Sequence, residues 1–279
     1  MTRPKTLGSD PQFKAAVELA CRVARERSPV ILVGPTGSGK SHVARLIHER
    51  GAHPSSPFRE WQAGASPETL IETELLGVRR GAATGVEGRA GLFESAGLGT
   101  LCLVGVEALQ PHQQAILLRI LEERTLVRVG GGRSVRMEAR VLACFSDPPE
   151  ELVGRGLLRP DLFYRLDVIR IELPPLCRRT EDLPVLAEHF LRASCRSLQR
   201  PVPRIGEGLL RALQAHPWPG NLRELAQRME GLAQTGSDPL TEGDLPASFW
   251  LQGRPDEYAL DRRLTLEELK HAYIRSVLA

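Results

Sequence analysis

Val30-Ile31-Leu32-Val33-Gly34-Pro35-Thr36-Gly37-Ser38-Gly39-Lys40-Ser41 is the stretch on which the reading of this chain turns. Four apolar residues predict a short buried strand. A glycine-rich turn follows, and Lys40 and Ser41 open a segment with helical spacing (Val43, Ala44, Leu46, Ile47) that Gly51 stops. Residues 34–41 satisfy G-x-x-x-x-G-K-[ST] at every fixed position, in the strand–loop–helix order that the motif requires. Glycines let backbone N–H groups turn inward around phosphate oxygens, and the helix N-terminus adds partial positive charge. Gly34, Pro35, Thr36, Gly37, Ser38 and Gly39 would form the cradle, Lys40 would reach the β- and γ-phosphates, and the Ser41 hydroxyl would ligate Mg2+. The bland alternative is a strand-to-helix turn that binds nothing. The motif in its context predicts a nucleoside triphosphate site.

Outward from that stretch, 279 residues leave room for one large or two modest domains. Apolar content of 42%, charged content of 25% and a net charge of +3 are those of an ordinary globular chain, too balanced to argue for nucleic acid or membranes. No apolar run approaches the roughly 18 residues needed to span a bilayer, and no secretory signal is visible behind Met1-Thr2-Arg3-Pro4-Lys5. Five widely spaced cysteines without a C-x-x-C pair suit reduced thiols, so a cytoplasmic location is expected. The seven histidines show no metal-ligand spacing.

Along the chain, Asp10-Pro11 predicts a helix start, with apolar spacing running up to Arg27. Ser66-Pro67-Glu68 opens another helix. Residues 77–91 hold five glycines and little apolar content, which predicts a protruding loop. Strands are expected at 100–106, 139–145 and 168–173. A helix from Pro111 should turn Ile116, Leu117, Ile120 and Leu121 inward, and a hairpin is expected at 125–129 and 134–137 around Gly130-Gly131-Gly132. After Pro174-Pro175 only helices are expected, at 181–197, 206–215, 221–234 and 264–278. Asn221 and Glu224 resemble a capping box, and Arg178-Arg179 reads as a solvated pair. The pattern predicts an α/β fold, a parallel-sheet sandwich with a helical lid. Expected boundaries are 1–173 for the nucleotide-binding part, 174–250 for the lid, and 251–279 for a linker and C-terminal helix.

Several blocks then resemble the AAA+ domain of sigma-54-dependent transcriptional activators, the NtrC class of bacterial enhancer-binding proteins. They are the phosphate loop; Glu74-Leu75-Leu76-Gly77; Gly91-Leu92-Phe93-Glu94-Ser95-Ala96; Gly99-Thr100-Leu101; Arg159-Pro160-Asp161-Leu162-Phe163-Tyr164-Arg165-Leu166; Glu172-Leu173-Pro174-Pro175-Leu176; and Trp218-Pro219-Gly220-Asn221-Leu222-Arg223-Glu224-Leu225. The resemblance runs from about Leu7 to the C-terminus. It implies a P-loop NTPase fold, ATP or ADP as ligand with Mg2+, and ring-shaped, hexameric self-association with hydrolysis between subunits. It further implies that Arg223 senses nucleotide from the lid, and that Arg159 and Arg165 act as arginine fingers toward a neighbour.

The chain also departs from that family. The family ends its second nucleotide strand with an Asp-Glu pair, the Asp for magnesium and the Glu for water. Register on Gly99-Thr100-Leu101 puts Val104 and Gly105 there, and neither can ligate a cation or accept a proton. Glu107 is the only nearby carboxylate and needs a local bulge or re-registration to reach. General-base assistance alone contributes about 10²–10⁴ in rate, so hydrolysis is expected to be weak or absent. The GAFTGA loop that touches sigma-54 reads Gly81-Ala82-Ala83-Thr84-Gly85-Val86. Ala83 replaces the anchoring aromatic, which weakens the case for contact with sigma-54 RNA polymerase. Phe145-Ser146 and Gln62 differ from the family's residues as well.

These readings favour an ATP-binding AAA+ transcription regulator that works by oligomerisation or beside an active relative. The alternatives are an active ATPase that remodels sigma-54 polymerase with Glu107 as its acid, and a nucleotide-stabilised scaffold or repressor. No sensory module before the domain and no complete helix-turn-helix after it are read in this sequence. Either the chain is shortened or it does not bind enhancers itself.

Overall fold

The computed structural model describes residues 7–81 and 87–252. Ala82, Ala83, Thr84, Gly85 and Val86, the expected linker and the helix expected at 264–278 lie outside the described residues. Two compact units are present, one of Pro11–Pro174 and one of Leu7–Asp10 with the chain from Pro175 onward.

The first unit contains, in order, α1 (Pro11–Arg22), β1 (Val30–Val33), α2 (Lys40–Glu49), β2 (Phe58–Gln62), α3 (Glu68–Leu76), β3 (Gly77–Val78), β4 (Arg89–Ala90) and α4 (Leu92–Ser95). There follow β5 (Thr100–Val104), α5 (Pro111–Glu123), β6 (Thr125–Leu126), β7 (Val135–Arg136), β8 (Arg140–Phe145), α6 (Pro149–Gly154), α7 (Pro160–Leu166) and β9 (Ile169–Glu172). Five strands form one parallel sheet in the order β2-β5-β8-β1-β9. Every residue of β1 and β8 is buried, as expected of inner strands covered on both faces. Alternation sorts their side chains into two cores. Val30 and Leu32 pack with Phe13, Val43 and Ile47, whereas Ile31 and Val33 pack with Leu75, Leu117 and Leu162. The unit is therefore a three-layer α/β sandwich, the predicted class.

Several local expectations need correction. α1 ends at Arg22, five residues earlier than its apolar spacing implied. β2 went unread because only Trp61 of its five residues is fully buried; it is an edge strand, and Arg59, Glu60 and Gln62 are exposed. α6 and α7 were also unread as elements. On α5 the buried face includes Gln113 and Gln114, while Ile116 is half-buried. Gln114 is satisfied there: its amide donates to the Leu109 and Leu157 carbonyls at 3.0 and 2.8 Å, and its oxygen accepts the Arg159 N–H at 2.9 Å. The glycine-rich 77–91 segment is not simply an open loop, because its ends pair as the β3–β4 hairpin.

The second unit holds α8 (Leu183–Ser197), α9 (Glu207–Ala215), α10 (Asn221–Thr235) and α11 (Ala247–Gln252), packed around Leu186, Leu191, Leu213, Trp218, Leu225 and Phe249. The expected capping box is replaced. Gly220 is the cap residue of α10 and donates its N–H to Glu224 Oε2 at 2.9 Å, while Asn221 Oδ1 accepts the Leu176 N–H at 2.8 Å. Arg179 is not solvated either, being 1% exposed and ion-paired with Asp182. Among the described residues no helix is long and apolar enough to cross a membrane.

Candidate functional site

In an open parallel sheet, ligands collect beyond the carboxyl ends of the strands. Here three segments converge at that edge. The Gly34 N–H donates to the Phe145 carbonyl at 3.2 Å and the Gly105 N–H to the Cys144 carbonyl at 3.4 Å, so the phosphate loop, the end of β5 and the end of β8 are adjacent. Thr36 Oγ1 and Ser146 Oγ share a hydrogen bond of 3.2 Å across the loop–β8 gap.

The loop has the shape its glycines allow. Gly34, Gly37 and Gly39 have φ of 155, 79 and 105°. A Cβ on Gly34 would lie 2.6 Å from the Leu173 carbonyl oxygen, so only glycine keeps this passage open. Lys40 is buried, and its ammonium donates to the carbonyls of Gly34 and Pro35 at 2.5 and 3.1 Å. Ser38 is 1% exposed, yet its hydroxyl oxygen has no hydrogen-bond partner. A concave glycine turn, a buried ammonium and an unmatched inward hydroxyl fit a bound phosphate chain.

The acid positions come out as follows. Val104 is half-buried at the end of β5, with Gln62 of β2 as its register partner. Gly105 then adopts a left-handed conformation (φ 73°, ψ 41°), and a short 3₁₀ turn, Val106–Ala108, carries Glu107. Glu107 Oε2 is buried without a hydrogen-bond partner. Burial chiefly, with help from Asp147, raises the carboxyl above its ordinary range, against a hydrogen bond from its own backbone and the charge of Lys40. On the metal side, the Ser41 hydroxyl donates to Glu60 Oε1 at 2.7 Å. Sequence reasoning missed Glu60, since nothing marked its segment as a strand.

The three arginines have surroundings of their own. Arg159 precedes α7 and grips Asp161 through Nε and Nη2 at 3.0 and 2.7 Å. Arg165, at the end of the same helix, donates to the Leu121 carbonyl at 2.8 Å. Arg223 is exposed on α10 of the second unit. Two motif glutamates prove to be internal ties. Glu74 accepts from Trp61 Nε1 and Ser66 Oγ at 2.8 and 2.6 Å, and Glu94 binds Arg128 through both oxygens at 3.0 and 2.6 Å.

A five-stranded parallel sheet whose first strand runs into a glycine-rich loop and then a helix defines a P-loop NTPase fold of the AAA+ type. Comparison with known proteins agrees. Residues 6–172 match the Sigma-54 interaction domain and residues 178–259 the AAA+ ATPase lid domain. This chain belongs to the sigma-54 interaction domain family. It is 37% identical to the transcriptional regulatory protein XylR of Pseudomonas putida, covering 98% of this chain and 52% of that protein. It is 40% identical to the Nif-specific regulatory protein of Azotobacter vinelandii, covering 83% and 44%. The chain thus spans about half the length of the curated relatives it matches. Among solved structures it resembles NtrX from Brucella abortus in complex with ADP (TM-score 0.82, 29% identity, 97% of this chain and 61% of that one). The ATP complex of the same protein gives a TM-score of 0.81 at 30% identity, covering 99% and 62%.

Proposed function

We propose that this chain is the nucleotide-binding AAA+ domain of a transcription regulator of the sigma-54 activator type, holding ATP or ADP at residues 34–41 and hydrolysing it weakly or not at all. One observation carries the reading: the phosphate cradle around buried Lys40 is intact, while the strand end beside it presents Val104 and Gly105 in place of acids. The nucleotide complexes of NtrX support the ligand. Such a domain acts by association, with itself or with a related AAA+ subunit. Arg159, just ahead of α7, and Arg165, within it, would serve as fingers, and between them Tyr164 is 75% exposed, an aromatic surface suited to a neighbour. Arg223 would sense the nucleotide from the lid. Contact with sigma-54 polymerase through the loop of residues 81–86 is weakened by Ala83.

The test measures nucleotide affinity and turnover on the purified chain. Tight binding with turnover below roughly 0.1 per second, under the low end of ordinary enzymes, is the expected result. Faster turnover that Lys40→Ala abolishes would overturn the idle-site reading. A second reading, an active ATPase, is favoured by the buried, unpartnered Glu107 oxygen with its raised carboxyl. Glu107→Gln discriminates, since only the active reading expects that substitution to remove hydrolysis.

A further inference from the structure

We propose that Glu60 replaces the missing strand-end acid on the metal side of this site, holding hydrated magnesium together with Ser41; this rests on the nucleotide reading above. β2 and β5 are parallel neighbours in which Glu60 pairs with Cys102 and Gln62 with Val104. Register partners in adjacent strands point to the same face of a sheet, and side chains two apart on a strand share a face. Glu60, Gln62, Cys102 and Val104 therefore all face one side. That side is the one α2 covers, because Cys102 and Val104 pack with Val43, Ala44 and Ile47 of that helix. Trp61 points the other way, into the opposite core.

The carboxylate of Glu60 thus leaves the sheet on the same face as Val104, one strand over. The contact at 2.7 Å from Ser41 Oγ to Glu60 Oε1 puts this carboxylate on the hydroxyl that the phosphate-loop motif reserves for a cation. A second, independent feature points to a ligand in the same loop. The Ser38 hydroxyl of the phosphate loop, 1% exposed, has no hydrogen-bond partner and lies 3.1 Å from where a Gly34 Cβ would stand.

Magnesium suits such a pair. It keeps several waters and is held by one or two carboxylates together with substrate phosphates, so a carboxylate that reaches it through water is sufficient. The bare site has no excess negative charge to hold a cation alone, since among the described residues no group of three or more His, Cys, Asp or Glu side chains could hold a metal ion. The phosphates must complete the shell, and metal and nucleotide are accordingly expected to bind together. When bound, the ion would neutralise charge on the phosphate chain. Glu60 and Ser41 orient it, and Val104 contributes only packing.

Calorimetric titration of ATP in excess Mg2+ and in EDTA tests this, with Mn2+ binding followed by electron paramagnetic resonance as a direct report on the metal. In the unsubstituted chain Mg2+ strengthens ATP binding. In Glu60→Gln that gain falls by at least about tenfold, as losses around a metal's outer ligands do, and the Mn2+ signal of the ternary complex weakens. Metal-free affinity rises slightly, because a carboxylate no longer repels the phosphates. Val104→Asp in the Glu60→Gln background restores the gain. A gain undiminished in Glu60→Gln overturns the assignment of Glu60 and leaves the nucleotide reading standing. Absence of ATP binding in the unsubstituted chain, with or without metal, overturns both.

Discussion

Arg179 Nε donates to Asp182 Oδ2 at 3.0 Å, and the two side chains are 1% and 0% exposed. The pair closes a 3₁₀ turn, Thr180–Asp182, ahead of α8. The other carboxylate oxygen of Asp182 accepts the backbone N–H groups of Ser9 and Asp10 and the Ser9 hydroxyl, so one buried acid ties the segment Leu7–Asp10 to the helical unit. Burial opposes ionisation of Asp182, but the Ser9 donors and the Arg179 guanidinium outweigh it and hold the carboxyl below its ordinary range.

Breaking this pair from one side leaves a buried charge without its counterion, which costs about 3–5 kcal/mol. Arg179→Met is expected to lose that much stability in urea unfolding, while Arg179→Met with Asp182→Leu recovers only part of it, because the Ser9 and Asp10 donors then lose their acceptor. The depressed carboxyl sets the pH limb. Its contribution is complete above about pH 4 and fades as pH falls through the unfolded value toward the lower folded one. An Arg179→Met loss under about 1 kcal/mol, the scale of an exposed pair, would show the ion pair to be ornamental.

Glu107 titrates with the opposite sign. Its folded carboxyl is raised, chiefly by burial, so the native state holds the proton more tightly than the unfolded chain does. Stability is therefore greatest in acid and declines as pH rises through the ordinary glutamate value toward the raised one. Glu107→Gln removes that decline. Thermal melts without nucleotide should show the variant more stable than the parent at pH 7 and little changed at pH 4. A variant less stable at pH 7 would mean that attraction to Lys40 dominates.

His216 supplies a third limb. It is buried between Trp218 and Phe249, with ring centroids 4.7 and 4.1 Å away, and its Nδ1 accepts the Trp218 N–H at 3.1 Å. Burial lowers its pKa; Glu224 works against that shift and Arg228 with it. Below about pH 6.5 the unfolded chain takes up a proton that the folded one refuses, so stability falls as pH drops through that value. His216→Phe should flatten this limb while losing about 1 kcal/mol at every pH for the orphaned Trp218 N–H. Denaturant midpoints between pH 5 and 8 read both effects.

The finger positions make a prediction that does not depend on hydrolysis by this chain. If a related active subunit assembles with it, Arg165→Ala and Arg159→Ala should each reduce that partner's turnover, toward the roughly 10³–10⁵ that a finger contributes. Nucleotide affinity of this chain alone should hold. Mixed-subunit ATPase assays decide, and unchanged turnover in both variants removes the trans role.

What could be read in advance was local. The strand, loop and helix around Lys40 are contiguous, and their apolar spacing and glycines state the geometry without outside help. β2 could not be read because an edge strand buries one side chain in five, and its pattern of Phe58, Arg59, Glu60, Trp61 and Gln62 looks like surface. The Ser41–Glu60 contact joins residues nineteen apart through the sheet, so no spacing rule reveals it. Arg179 and Asp182 are ordinary charges in sequence, and only the packing of the helical unit makes them buried. The family resemblance located Val104 and Gly105, yet the left-handed turn at Gly105 that leads into the Val106–Ala108 turn is a matter of backbone shape.

The hairpin of β3 and β4 has a further consequence. A Cβ on Gly77 would stand 2.4 Å from the Arg89 carbonyl, and one on Gly91 would stand 2.4 Å from the Gly77 nitrogen. The same stem is bonded to a second hairpin, through Arg79 N–H to the Val129 carbonyl and Val129 N–H to the Gly77 carbonyl at 3.0 and 2.9 Å. Both arms are thereby clamped where they leave the sandwich. Such a mount is interchangeable. Sequence beyond the stem can change without renegotiating the foundation on which it stands.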